Sequence, residues 1–140
     1  MFYGCTSLTT APALPAETLA PSCYYYMFER CNNLTTAPEL PATTLAEGCY
    51  NSMFYGCTSL TTAPALPATK LATQCYYEMF YGCSSLTAIT CLATDISASF
   101  CTSRWLYGVA ASGTFTKAAS MTGWSTGASG IPSGWTIHNR

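Results

Sequence analysis

A unit of 26 residues recurs four times in succession in this 140-residue chain, and that repetition restricts its fold more than any other feature. Met1, Met27, Met53 and Met79 head the blocks, which read MFYGCTSLTTAPALPAETLAPSCYYY, MFERCNNLTTAPELPATTLAEGCYNS, MFYGCTSLTTAPALPATKLATQCYYE and MFYGCSSLTAITCLATDISASFCTSR. A fifth, degenerate block opens at Trp105 with WLYGVAASGTFTKA. Blocks one and three differ only at block positions 17, 18, 21, 22 and 26. A period of this length belongs to arrays whose units are too thin to bury their own apolar side, so that each covers the next. The chain therefore divides into four repeats over 1-104 and a degenerate fifth repeat with a C-terminal cap over 105-140.

Aligned blocks give columns that read as inside or outside. Phe2, Phe28, Phe54 and Phe80, continued by Leu106, form one apolar column, and Leu8, Leu34, Leu60 and Leu86 form another. Ala11, Ala37, Ala63, Ile89 and Phe115 make a third, and Leu14, Leu40, Leu66 and Leu92 a fourth; all four are expected in the core. Columns that change polarity cannot stay buried in every block. Ala13, Glu39, Ala65, Cys91 and Lys117 form one such column and Tyr26, Ser52, Glu78 and Arg104 another, so both are expected outside.

Within a block, spacing predicts two local structures. From Leu45 to Leu60 the apolar residues Leu45, Cys49, Met53, Phe54, Cys57 and Leu60 approximate a helical stripe, and Gly56 suits a helix end. LTTAPEL, Leu34 to Leu40, reads as a short strand, because Pro38 and Pro41 forbid a helix. Proline has no N–H to donate, so the parallel sheet made by stacking these strands is expected to be narrow and interrupted. In the tail, GTFTKA (Gly113 to Ala118) falls in phase with TTAPEL and predicts a further strand, and IPSGWTIHN a turn at Pro132 to Gly134 feeding a last one. Trp105, Phe115, Trp124 and Trp135 are bulky enough to seal that end of the core.

The expected fold is an α/β repeat solenoid of the leucine-rich-repeat type: short parallel strands in a narrow sheet on one side, short helices or turns on the other, and a C-terminal cap. Phe54, Cys57, Leu60 and Pro67, with their equivalents Phe28, Cys31, Leu34 and Pro41, carry a more specific likeness. Over Met1 to about Arg104 the chain resembles the BspA-like leucine-rich repeats of bacterial surface proteins. That resemblance implies a cell-surface or secreted location and an adhesive role toward a protein or glycan ligand on a host or neighbouring cell. The chain departs from the family pattern in its longer unit and in Ala followed by Pro where Ile is usual in the strand.

Composition narrows the partners. Only 8% of residues are charged and the net charge is -1, which leaves no electrostatic handle for nucleic acid, so none is expected as a partner. No apolar run reaches the roughly 18 residues of a membrane span, so no membrane insertion is expected. MFYGCTSL recurs inside the chain at Met53, and no cap precedes Met1, so flanking domains of a longer chain are expected.

The sequence offers little for catalysis. The single histidine, His138, lies at the end of the chain, and Glu17, Glu29, Glu39, Glu47, Glu78 and Asp95 fall at scattered block positions. No enzyme activity and no cofactor are expected. Eight of the nine cysteines fall in two columns, Cys5, Cys31, Cys57, Cys83 and Cys23, Cys49, Cys75, Cys101, at spacings unlike CxxC, so no metal site is expected. Val109 takes the first of these columns in block five, which favours buried thiols acting as small hydrophobes. Disulfides between the columns are the alternative, with Cys91 left over.

Aromatic residues give the best binding signal. Tyr24, Tyr25, Tyr26, Tyr50, Tyr76 and Tyr77 occupy neighbouring columns and form the candidate binding surface, since Tyr joins a large apolar face to a hydroxyl. The competing reading packs these rings between blocks. Tyr3, Tyr55, Tyr81 and Tyr107 form a further stripe, and Thr9, Thr35, Thr61 and Thr87 a hydroxyl-bearing one. The expected function is a non-enzymatic binding or adhesion module; the alternative is a structural spacer in a larger surface or phage virion fibre. Variation at block positions 17, 18, 21, 22 and 26 favours the first, and the near-identity of blocks one and three the second.

Overall fold

The computed structural model describes residues 2–140. The expected α/β leucine-rich-repeat solenoid is overturned: among the described residues there is no helix, and only three short strands form. These are β1 (Ala88–Cys91), β2 (Thr114–Lys117) and β3 (Thr136–Asn139), joined in parallel in the order β1-β2-β3. The rest of the chain is held by turns, isolated bridges and backbone bonds between blocks.

Hydrogen bonding explains why the helical reading of Leu45 to Leu60 fails. From Ala20 to Cys31 the odd-numbered amides close tight turns: Cys23 donates to Ala20, Tyr25 to Ser22, Met27 to Tyr24, Glu29 to Tyr26 and Cys31 to Phe28. The even-numbered amides of Ser22, Tyr24, Tyr26, Phe28 and Arg30 donate instead to the carbonyls of Glu47, Cys49, Asn51, Met53 and Tyr55 in the following block. Gly48, Tyr50, Ser52, Phe54 and Gly56 repeat this toward block three's successor positions, Thr73, Cys75, Tyr77, Met79 and Tyr81. From Ser22 to Cys31 every backbone amide is thereby used without one bond to the residue four before it. A chain that turns every four residues returns every fourth side chain to one face, so Leu45, Cys49, Met53 and Cys57 mimic a helical stripe. The turns need left-handed backbone at regular intervals, met at Tyr26, Ser52, Glu78 and Arg104 (φ 50 to 55°) and at Gly4, Arg30, Gly56, Gly82 and Gly108 (φ 58 to 79°).

The strand side is as interrupted as the prolines require, and more so. Pro12, Pro38 and Pro64 stand at block position 12 in the first three blocks, where only isolated bridges such as Thr10 with Thr36 and Thr62 with Ala88 form. Block four carries Thr90 at that position, and there β1 runs as a continuous strand against β2, with Ile89 opposite Phe115. β3 adds to β2 with Phe115 opposite Ile137.

Two stacked aromatic columns occupy the core. Phe2, Phe28, Phe54 and Phe80 lie face to face at centroid spacings of 5.4, 5.6 and 5.5 Å. Tyr24, Tyr50 and Tyr76 form the second at 5.8 and 6.0 Å, and Trp105 continues it at 5.8 Å before Trp124 at 5.4 Å. Trp105 and Phe115 are fully buried; the Trp105 indole donates to Gly130 and that of Trp135 to Ala110, which ties residues 105–140 over the end of the core.

Two columns expected outside need correction. Cys91 is fully buried while Leu92 is half-exposed, because block four slips by one residue and sets Cys91, not Leu92, opposite Leu66. Ser52 is buried as well, its hydroxyl bonded to Asn51 at 2.9 Å.

Candidate binding groove

The six tyrosines of the candidate surface do not share one face. Tyr50 and Tyr76 are buried in the second aromatic column and Tyr24 is half-buried beside them. Tyr25 and Tyr26 are exposed and meet edge to face, and the hydrogen bond between them, with burial second, pushes Tyr26 up to about 12. Tyr77 is half-exposed; Arg104 lies 5.8 Å over its ring, donates to its hydroxyl at 2.9 Å and pairs with Glu78 at 3.2 Å. The ordered surface aromatics are instead Tyr55, Tyr81 and Tyr107, stacked at 4.6 and 4.8 Å, the spacing of hydrogen-bonded neighbouring strands. Their ring faces are spent on one another, so the stack offers solvent edges and hydroxyls. Glu29 interrupts this column in block two.

Concavity lies elsewhere, along the seam between blocks two and three. A groove of about 610 Å³ is walled by Thr43–Glu47 of block two and Lys70–Thr73 of block three, with Ala98 of block four at its end. Its apolar lining is Leu45, Ala46, Leu71, Ala72 and Ala98, and its polar lining Thr43, Thr44, Glu47, Lys70 and Thr73. A second recess of about 260 Å³, lined by Glu39, Leu40, Pro41, Ala65 and Pro67, continues along the same two blocks. The walls fall at block positions 17 to 21, which include three of the positions at which blocks one and three differ.

The groove borders a seam that is not zipped on the strand side. Between blocks one and two, Ala11 donates to Thr36, Thr35 to Thr9, Leu19 to Thr44 and Thr43 to Glu17. Between blocks three and four, Ala63 donates to Ala88, Thr87 to Thr61, Leu71 to Asp95 and Asp95 to Thr69. Among the described residues, none of the equivalent bonds forms between blocks two and three, where only the turn run is joined. Leu45 at this seam is accordingly half-exposed, whereas its equivalents Leu19 and Leu71 are 7% and 4% exposed. LTTAP is identical in blocks one, two and three, whereas the second bonded stretch differs, reading AETLA, ATTLA and ATKLA.

Every cysteine is a free thiol, and most lie in the core. Burial pushes Cys57 and Cys91 up to about 12 and Cys49 up to about 11, and raises Cys75 and Cys83 well above the usual thiol range. Cys57 and Cys83 donate to the carbonyls of Phe28 and Phe54 at 3.1 and 3.0 Å. Such thiols are packing groups, held far from the thiolate that reactivity needs. Among the described residues no cluster of three or more His, Cys, Asp or Glu side chains is placed to hold a metal ion, and no helix is long and apolar enough to cross a membrane. No family model matches the chain, and no curated protein or solved structure matches it either.

Proposed function

We propose that the chain is a non-enzymatic binding module of adhesive type, at the surface of a bacterial cell or secreted from it, that seats a protein or glycan ligand in the groove between its second and third blocks. The observation that carries this reading is the groove itself: a concave, apolar-floored site with a hydroxyl and charged rim, of a size within the ~300–1,000 Å³ usual for ligand sites. The surface location and the adhesive role rest on the likeness of the blocks to BspA-like repeats. The near-identity of blocks one and three supports a second reading, a spacer in a surface or virion fibre.

The test fills the groove. Ala46→Trp with Ala72→Trp places two indoles between its walls, at half-buried positions open to added volume. The chain and this variant are compared on a glycan array and a panel of extracellular-matrix proteins. The reading expects a ligand whose binding falls at least tenfold in the filled variant while circular dichroism is unchanged. A ligand retained by the filled variant but lost on Tyr25→Ser with Tyr26→Ser moves the site to the exposed tyrosines. No ligand for either protein favours the spacer.

A further inference from the structure

We infer that Tyr55, Tyr81 and Tyr107 form a site of oxidative cross-linking, at which a haem peroxidase with hydrogen peroxide joins neighbouring rings carbon to carbon and so staples blocks three, four and five together. The groove plays no part in it.

The three tyrosines hold block position 3 in consecutive blocks. Their rings lie parallel to within 4° and 20°, with centroids 4.6 and 4.8 Å apart. That is closer than in the two aromatic columns of the core, where the spacings run from 5.4 to 6.0 Å. Tyr55 and Tyr81 are half-exposed and Tyr107 is 51% exposed, so an oxidant reaches them, whereas Tyr50 and Tyr76 are sealed in the core. The backbone beside the stack is fastened block to block: Gly56 donates to the Tyr81 carbonyl at 2.7 Å and Gly82 to that of Tyr107 at 2.8 Å. The rings therefore stay paired while they react. Tyr25 and Tyr26 are the other close exposed pair, but they meet edge to face and are neighbours in sequence, so a bond between them staples nothing.

Each phenol gives its hydroxyl hydrogen, one electron and one proton, to the oxidant and becomes a phenoxyl radical. The unpaired electron is shared with the ring carbons ortho to the oxygen. Two such radicals on adjacent rings form one bond between ortho carbons, and the hydrogen on each of those carbons moves to its oxygen, which restores both phenols. Two tyrosines thus lose two hydrogens, and one hydrogen peroxide becomes two waters. The geometry favours neighbours in the stack. A ring centroid lies on the Cβ–Cγ axis, so a quarter-turn about that bond leaves the centroids in place and brings the ring edges, with their ortho carbons, toward one another. Exposed side chains make such turns rapidly. Bonding then needs only a small closing of the 4.6 and 4.8 Å gaps.

The experiment treats the whole chain with a haem peroxidase and hydrogen peroxide, recovers single chains from a denaturing gel and digests them with trypsin. Cleavage after Arg30, Lys70, Arg104 and Lys117 leaves Tyr55, Tyr81 and Tyr107 on three separate peptides. Mass spectrometry is expected to find 31–70 joined to 71–104, and 71–104 joined to 105–117, each two hydrogens lighter than the sum of its parts. Both are expected at least tenfold above any pair containing 1–30, although that peptide carries Tyr3, exposed at 61%. Tyr81→Phe keeps the ring and removes the phenol; it is expected to abolish both products with circular dichroism unchanged, and Tyr107→Phe only the second. Joined pairs that survive Tyr81→Phe, links through Tyr3, Tyr25 or Tyr26 in equal yield, or oxidation without joined peptides overturn the proposal.

Discussion

Tyr76→Phe is expected to stabilise this protein, an unusual direction for a core substitution. Tyr76 is fully buried between Tyr50 at 6.0 Å and Trp105 at 5.8 Å, and its hydroxyl has no hydrogen-bond partner. An unpaired buried hydroxyl costs about 1–3 kcal/mol of desolvation. Removing the oxygen leaves the stacked ring in place and opens a void smaller than a methyl group, which returns a fraction of that, under about 1 kcal/mol. The net gain is about 1 kcal/mol, or a rise of roughly 4 °C in Tm for a chain of this size. Urea unfolding followed by circular dichroism, alongside calorimetry, measures it. Tyr24→Phe serves as the control, because Tyr24 heads the same column but is half-buried, and no gain is expected there. A loss of stability in Tyr76→Phe larger than about 0.5 kcal/mol would refute the reasoning, since it would mean that the hydroxyl is satisfied by a water held between the layers.

Phe54→Ala removes the ring between Phe28 and Phe80, and a loss of about 3–5 kcal/mol is expected in the same unfolding assay, a large fraction of the ~5–15 kcal/mol of an ordinary domain. Alkaline pH provides a separate check on the thiols. An unfolded thiol loses its proton near 9, whereas the folded Cys57 and Cys91 hold theirs to about 12. Above pH 9 the unfolded state therefore binds fewer protons than the folded one, so stability present below pH 9 is expected to fall as pH rises toward 12. Replacing both cysteines with Val should reduce that slope in urea titrations from pH 8 to 11, leaving the share carried by Cys49, Cys75 and Cys83.

The stacked phenylalanines were legible in the repeats and the fold class was not, for physical reasons. The aromatic Phe column and the interruption of strands by Pro12, Pro38 and Pro64 follow from residue type alone. Apolar residues four apart at Leu45, Cys49, Met53 and Cys57 suit a helix, but a run of four-residue turns produces the same spacing, and periodicity cannot separate the two. What distinguishes them is where the alternate amides go, and that depends on a neighbouring block that a single-block reading does not contain. Tyr50 and Tyr76 read as surface because Tyr is amphipathic, but a column of equal rings stacks best when each covers the next. The slip at Cys91 depends on which of two adjacent apolar residues fills the slot opposite Leu66. At LTTAP the unbonded seam has no signal in the sequence, since LTTAP is the same on both of its sides and on both sides of the bonded seam.

The alternating bonds of the turn run also explain how a groove can open without exposing the core. Tyr26, Arg30, Ser52 and Glu78 sit in left-handed backbone, at about 1 kcal/mol or more each, and such conformations persist only where the surroundings over-determine them. Here the surroundings are the bonds to the next block, which continue unbroken across the seam of blocks two and three through Gly48, Tyr50, Ser52, Phe54 and Gly56. The aromatic columns lie on that zipped side: Phe28 and Phe54 stay stacked at 5.6 Å and Tyr50 and Tyr76 at 6.0 Å across the same seam. Cohesion between blocks is thus concentrated in the turns and the rings beneath them. The strand side, weakened by proline in both blocks that adjoin the seam, contributes no backbone bond there.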